Sequence, residues 1–167
     1  LSLIRGSADA GLSGWEKLAG IPGTLGGAVR GNAGAFGTEI KDVISEVYAM
    51  HKETGEVRTF SNPECTFSYR NSFFKQHQEW IILSAKIALV SGNQEENMGL
   101  IEETISEREK RHIQNIKAAG SYFMNPMASE DIRTMFEKEK GVVSRGGRVP
   151  AGWLIEKAGL KGPRVGG

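Results

Sequence analysis

The run Gly20 to Gly37, GIPGTLGGAVRGNAGAFG, holds seven glycines in 18 residues and constrains the fold more than any other segment. Glycine has no Cβ, so it enters backbone conformations closed to other residues and loses the most freedom when ordered. So dense a set disfavours regular secondary structure and predicts a loop shaped by its own main chain. Such a loop lets amide N–H groups approach a ligand closely and converge on an anion such as a diphosphate. The run lacks the G-x-x-x-x-G-K-[ST] spacing of a P-loop and contains no G-x-G-x-x-G, which disfavours the two common nucleotide-binding turns. On these grounds a cofactor loop and a purely structural loop both stay open.

The segments around it carry ordinary periodic signals. Ser13-Gly14-Trp15-Glu16 has capping-box spacing and predicts a short helix ending near Gly20. Val47 to Met50 and Val57 to Phe60 flank a polar turn and predict a β-hairpin. Ile81, Leu83, Ala85, Ile87 and Leu89 alternate at period two, which predicts a strand with those five residues on one face. Ser91 to Gln94 breaks that pattern, and residues 95–112 predict a helix with Ile101, Ile105, Arg108 and His112 on one stripe. Two further helices are expected, one after Ser129 with Ile132, Met135 and Phe136 inward and Gly141 as its stop. The other runs from Pro150 to Gly159 with Trp153, Leu154 and Ala158 inward. The change from strand-rich to helix-rich sequence sets an expected boundary between a domain at 1–94 and a second at 95–167.

Twenty-one Lys and Arg against 20 Asp and Glu leave a net charge of +1, so no bulk field draws the chain to nucleic acid or to an acidic membrane. No run approaches the roughly 20 apolar residues of a bilayer span. Cys65 is the sole cysteine. That excludes an internal disulfide and a cysteine-built metal cluster, suits a reducing cytoplasm, and reads as a small buried apolar residue. The chain opens on Leu1 and closes on Gly166-Gly167, so an internal piece of a longer protein is expected.

Two more segments could carry chemistry. In Gly120-Ser121-Tyr122-Phe123-Met124-Asn125-Pro126 the serine could donate a proton, but no nucleophile elbow or histidine triad surrounds it, so a turn or capping serine competes. In Tyr69-Arg70-Asn71-Ser72 the guanidinium fork could hold a carboxylate, and an ion-paired surface arginine is the plain alternative. One Arg and one Lys in that segment are too few phosphate contacts for nucleic acid. The carboxylate pairs Glu102-Glu103 and Glu130-Asp131 and the three histidines have no ligand spacing, so no metal is expected.

The order of these segments is more specific than any one of them. Gly11-Leu12-Ser13-Gly14-Trp15-Glu16, then Ala19 to Ala28, then Asn32-Ala33-Gly34-Ala35-Phe36-Gly37 resembles the second half of the flavin-binding domain of the UDP-N-acetylenolpyruvoylglucosamine reductases. Tyr69 to Ser72 resembles that family's Y-R-[DN]-S element, and Gly120 to Pro126 its G-S-x-F-x-N-P element. Trp153-Leu154-Ile155 through Gly159-Leu160-Lys161-Gly162 to Gly166-Gly167 resembles its W-L-I-x-x-x-G-L-K-G-x-x-x-G-G element. His112-Ile113-Gln114 stands where the family has Gln-Pro.

The resemblance implies an α+β fold, the second half of a vanillyl-alcohol-oxidase-like FAD-binding domain followed by most of an α+β substrate-binding domain. It implies reduction of UDP-N-acetylglucosamine enolpyruvate to UDP-N-acetylmuramate with FAD as cofactor and NADPH as electron donor, for peptidoglycan precursors, in a cytoplasmic monomer. FAD contacts then fall on Ile21, Pro22, Gly23, Thr24, Gly26, Gly27, Asn32 and Gly34. Arg70 stabilises the enolate and Ser121 protonates it, while Tyr69, Asn125 and Arg111 contact the substrate. Because the family's first flavin loop and its late catalytic carboxylate have no counterpart in these residues, the chain alone is expected to be inactive.

Overall fold

The computed structural model describes residues 1–110 and 122–162, and the chain divides into two compact units, Leu1–Lys117 and Ala118–Gly167. The first unit opens with α1 (Ser2–Asp9), which buries Ile4 and Ala8, and the short β1 (Leu12–Ser13). Ser13 caps no helix. Instead both carboxylate oxygens of the buried Glu16 accept from Gly14 N–H, at 3.1 and 3.2 Å, and Glu16–Leu18 forms a single 3₁₀ turn.

The glycine run is more regular than its composition predicts. It contains α2 (Leu25–Gly31), followed by the two-residue strands β2 (Gly34–Ala35) and β3 (Thr38–Glu39), which pair with each other. Caps and burial outweigh the glycine penalty. Thr24 Oγ1 accepts from Gly27 N–H at 3.1 Å, Asn32 ends the helix in the left-handed region at φ +44°, and Val29 is fully buried.

β4 (Ile44–His51) pairs antiparallel with β5 (Val57–Ser61), as the hairpin signal predicts, and Gly55 at φ +72° serves the turn. Phe73–Gln76 is a one-turn helix, α3, and β6 (Trp80–Ile87) pairs with the other edge of β4, giving the order β5-β4-β6. The expected single face on β6 is not found. Tyr48 faces Ser84 while Ala49 faces Ile82, so Leu83 is a bulge, and the bulge reverses which side of the strand looks inward. Ala85 and Ile87 pack on the core above it and Ile82 and Trp80 below it, leaving Ile81 and Leu83 exposed. Phe60 anchors this core, with ring centroids 5.0 Å from Phe73, 5.1 Å from Phe74 and 5.0 Å from Trp80. Cys65 is fully buried and unpaired, and burial, with the Glu64 charge adding to it, pushes its thiol up to about 11.

After β7 (Val90–Ser91), which pairs with β1, α4 (Gln94–Lys110) buries Ile101 and Arg108 on the expected stripe. That stripe packs on α1 and the 3₁₀ turn, so α4 belongs to the compact unit Leu1–Lys117. In the second unit, α5 (Glu130–Lys140) stops at Gly141 with φ +63°, and α6 (Ala151–Lys157) follows Pro150. Phe136, Val149 and Trp153 form its core. Ile132, Met135 and Ala158, expected inward, are exposed, the described core taking Phe136 from α5 and Trp153 from α6, with Leu154 packed against it. No described helix is long and apolar enough to cross a membrane.

Candidate active site around the glycine loop and the Tyr69 turn

A cavity of about 550 Å³ opens in the first unit between α1, the 3₁₀ turn and the start of α2. Its walls are largely apolar, including Ile4, Leu18 and Ile40, and its rim is the chain from Ile21 to Thr24. Of the eight positions expected to contact the cofactor, Ile21, Pro22, Gly23, Thr24 and Gly27 line it. Gly23 sits at φ +120°, a conformation that a side chain would strain.

The other three lie elsewhere. An added Cβ on Gly26 would approach the Ile82 side chain at 3.9 Å, so this glycine fits α2 against β6. Asn32 is fully buried, and both of its amide protons are used within the chain, donating to Glu39 Oε2 at 3.1 Å and to Ser68 O at 2.9 Å. Its Oδ1 accepts from Lys41 N–H at 3.2 Å. Asn32 is therefore a joint in the scaffold, its side chain bonded to Glu39, Ser68 and Lys41. At Gly34 an added Cβ would stand 2.8 Å from Glu39 Cγ and 3.3 Å from Arg70 Nη1, so the absence of a side chain admits the arginine.

Ser68 and Asn71 exchange backbone hydrogen bonds of 3.1 and 3.0 Å, which closes a two-residue turn with Tyr69 and Arg70 at its tip. Arg70 lies in the left-handed region at φ +56°, where a side chain is strained, and residues held so often mark functional sites. Its guanidinium donates to Gly34 O at 2.9 Å and lies 5.1 Å from the Tyr69 ring centroid. Ser72 Oγ donates to Arg30 O at 2.7 Å and Lys75 Nζ to Arg70 O at 2.7 Å, fixing the turn from its other side. The structure thus brings Tyr69, Arg70, Asn32 and Gly34 together, whereas Ser121 and Arg111 lie outside the described residues. In the second unit Asn125 Oδ1 accepts from Ala151 N–H at 3.1 Å at the start of α6, and its carbonyl accepts from Arg148 at 2.7 Å.

Two residues on this scaffold belong to none of the sequence motifs. Glu39 carries the joint with Asn32 and an ion pair of 2.8 Å with Lys41. Arg108, 8% exposed, donates through Nε to Ala19 O at 2.7 Å and stands 5.2 Å from the Phe36 ring centroid, tying α4 to the root of the glycine loop. A cation on the otherwise apolar stripe of Ile101 and Ile105 was the available signal for the second. For Glu39 there was none beyond nearness to the loop. No group of His, Cys, Asp and Glu among the described residues is arranged to hold a metal.

The C-terminal domain model of UDP-N-acetylenolpyruvoylglucosamine reductase matches residues 111–167. Proteins of that name from Solibacter usitatus and Carboxydothermus hydrogenoformans are 39% and 38% identical over 165 and 166 residues. Each alignment covers 99% of this chain, and 52% and 48% of those proteins respectively. The crystal structure of UDP-N-acetylenolpyruvylglucosamine reductase from Thermus caldophilus superposes with a TM-score of 0.73 at 32% identity, covering 99% of this chain and 52% of that one. By sequence and by an α+β fold shared with that structure, the chain belongs to the UDP-N-acetylenolpyruvoylglucosamine reductase family and spans about half the length of the relatives it matches.

Proposed function

We propose that this segment supplies part of the FAD site and the enolate-stabilising arginine of an NADPH-dependent reductase acting on UDP-N-acetylglucosamine enolpyruvate. The observation that carries the reading is the Tyr69 turn, where an arginine is held at a strained φ beside the glycine-loop scaffold. The cofactor also fits what is present. A cavity of about 550 Å³ with apolar walls and a main-chain rim falls within the ordinary size of small-molecule sites and suits a flat ring with a polar tail. Ile21, Pro22, Gly23, Thr24 and Gly27 would hold it, with Gly26, Asn32 and Gly34 shaping their backbone.

The chemistry that FAD supplies when bound is hydride transfer from NADPH to the enolpyruvyl double bond. The residues of this chain handle the charge and the proton. One N–H of Arg70 is committed to Gly34 O, and the rest of its fork can face a substrate carboxylate as negative charge builds toward the enolate. Ser121 gives the proton to C2, a role in which a serine needs an electrostatically tuned partner. Tyr69 and Asn125 border the substrate, and Arg111 meets its diphosphate. FAD and substrate as natural ligands, a cytoplasmic setting and a monomeric state complete the proposal.

The test is stopped-flow spectroscopy on a full-length reductase carrying this segment. Ser121→Ala and Arg70→Lys should leave flavin reduction by NADPH intact and slow its substrate-dependent reoxidation by on the order of 10² or more. Equal slowing of both half-reactions, or parental reoxidation in Arg70→Lys, would overturn the assigned roles.

A further inference from the structure

A strained arginine that must face a substrate needs something to aim its guanidinium, and Gly34 is the point where two side chains meet. An added Cβ there would lie 2.8 Å from Glu39 Cγ and 3.3 Å from Arg70 Nη1, so a carboxylate arm and a guanidinium bracket the same glycine. Glu39 stands on β3, directly across from Gly34 in the ladder, while Arg70 reaches Gly34 from a turn 36 residues away. Asn32 joins the two supports. One of its N–H bonds goes to Glu39 Oε2, and the other goes to Ser68 O, the carbonyl that begins the Arg70 turn.

We propose that Glu39 is a positioning residue for Arg70, with Asn32 as the joint that fixes the distance between the carboxylate and the turn. Glu39 is built to stay charged. Burial works against its ionised form, but hydrogen bonds from Lys41 and Asn32 and the charges of Lys41 and Arg70 more than offset this, holding the carboxyl below its ordinary value of 4.5. Its Oε2 is occupied by Asn32 and Lys41. It therefore acts on Arg70 by its field rather than by a two-pronged ion pair, which would fill the fork that a substrate carboxylate needs. A charge aimed from behind, with one carbonyl bond at Gly34, restrains the group before substrate arrives, and such preorganisation is what makes a charged donor effective.

This inference rests on the reading of Arg70 as the enolate-stabilising group, and a double-mutant cycle separates the two. In a full-length reductase carrying this segment, Glu39→Gln should slow substrate-dependent flavin reoxidation by roughly tenfold or more, with flavin reduction by NADPH unchanged. In an Arg70→Lys background the same substitution should add nothing, because its effect runs through the guanidinium. Glu39→Asp keeps the charge and should recover most of the rate. If the two substitutions slow reoxidation multiplicatively, or if Glu39→Asp is as slow as Glu39→Gln, the positioning role fails while the role of Arg70 stands. Parental reoxidation in Arg70→Lys removes the role of Arg70 instead. Should Glu39→Gln lose its flavin, the residual slowing caused by Glu39→Asp is carried through the same cycle: its disappearance in the Arg70→Lys background supports the positioning role, and its persistence there overturns it.

Discussion

The Arg70 turn and the Asn125 segment both present a polar residue expected to meet substrate, yet they are held in different ways. Bonds to the turn come from Asn32, Arg30 and Gly34, 36 to 42 residues away in sequence, on a unit whose core joins fifteen buried apolar residues among those described. Asn125 belongs to a unit whose described core is Phe136, Val149 and Trp153, and its side chain caps α6 at Ala151. A strained arginine needs many long-range restraints to stay aimed, whereas Asn125 is held at the start of one helix, its side chain accepting from Ala151 and its carbonyl from Arg148. Orientation is thus a property of a broad scaffold in the first unit and of bonds gathered at one helix start in the second.

The sharpest way to break this comparison is through the cores. Phe60→Ala removes a ring in contact with Phe73, Phe74 and Trp80 and should cost the first unit about 3–5 kcal/mol in denaturant unfolding. Phe136, 7% exposed and set against Trp153 at 5.4 Å, has fewer neighbours to lose. Phe136→Ala should therefore perturb its own unit less, read by hydrogen exchange along α5 and α6. An equal or larger loss there would show that the smaller core is no weaker.

The caps give a middle-sized test. Thr24→Ala and Asn125→Ala each remove an acceptor at a helix start and should each cost about 1 kcal/mol. Thr24 lies three residues from the amide it serves, so Thr24→Ser should restore the bond, as followed by exchange of the Gly27 amide. Asn125 lies 26 residues from Ala151, so its loss should also loosen residues 122–127. Exchange confined to the Ala151 amide would count against the second statement.

Much of the first unit was legible in its residues, and the exceptions share a cause. The β4–β5 hairpin follows from period-two runs around a polar turn, and the α4 stripe from Ile101 and Ile105. The bulge at Leu83 was not legible, because the register of β6 is set by β4, a partner its own sequence does not name. The helix α2 was hidden by counting glycines without weighing Thr24 and Asn32 as caps. Asn32 sits among cofactor-like residues, and only the folded chain reveals that its amide also bonds Glu39 and Ser68. The part played by Glu39 depends on a turn that is distant in sequence, and no local pattern announces it.

The smallest expected effect concerns pH. Glu137 in the second unit is held below its ordinary value of 4.5 by hydrogen bonds from the Ser144 hydroxyl and amide, with Arg133 adding a charge. A depressed carboxyl favours the fold when ionised, so its contribution is complete above that ordinary value and fades as pH falls through the lower folded one. The protection of the Ser144 amide, relative to its intrinsic exchange rate, should fall as pH drops below about 4.5, and Glu137→Gln should flatten that dependence. Because the carboxylate is solvent-facing, the change should stay small, and a large one would mean that the segment is held more firmly than its exposed bonds suggest.

Position 70 also sets two kinds of selection against each other. Glycine adopts φ +56° freely, whereas for an L-residue that conformation costs on the order of 1 kcal/mol, so exchanging Arg70 for glycine would relieve the backbone while giving up the bond to Gly34 O. Proteins persist just above the stability they need, and such an exchange is readily taken when nothing opposes it. A population of variants sorted only for soluble expression should therefore tolerate glycine at this position, while one sorted for growth that depends on the reductase should keep the arginine.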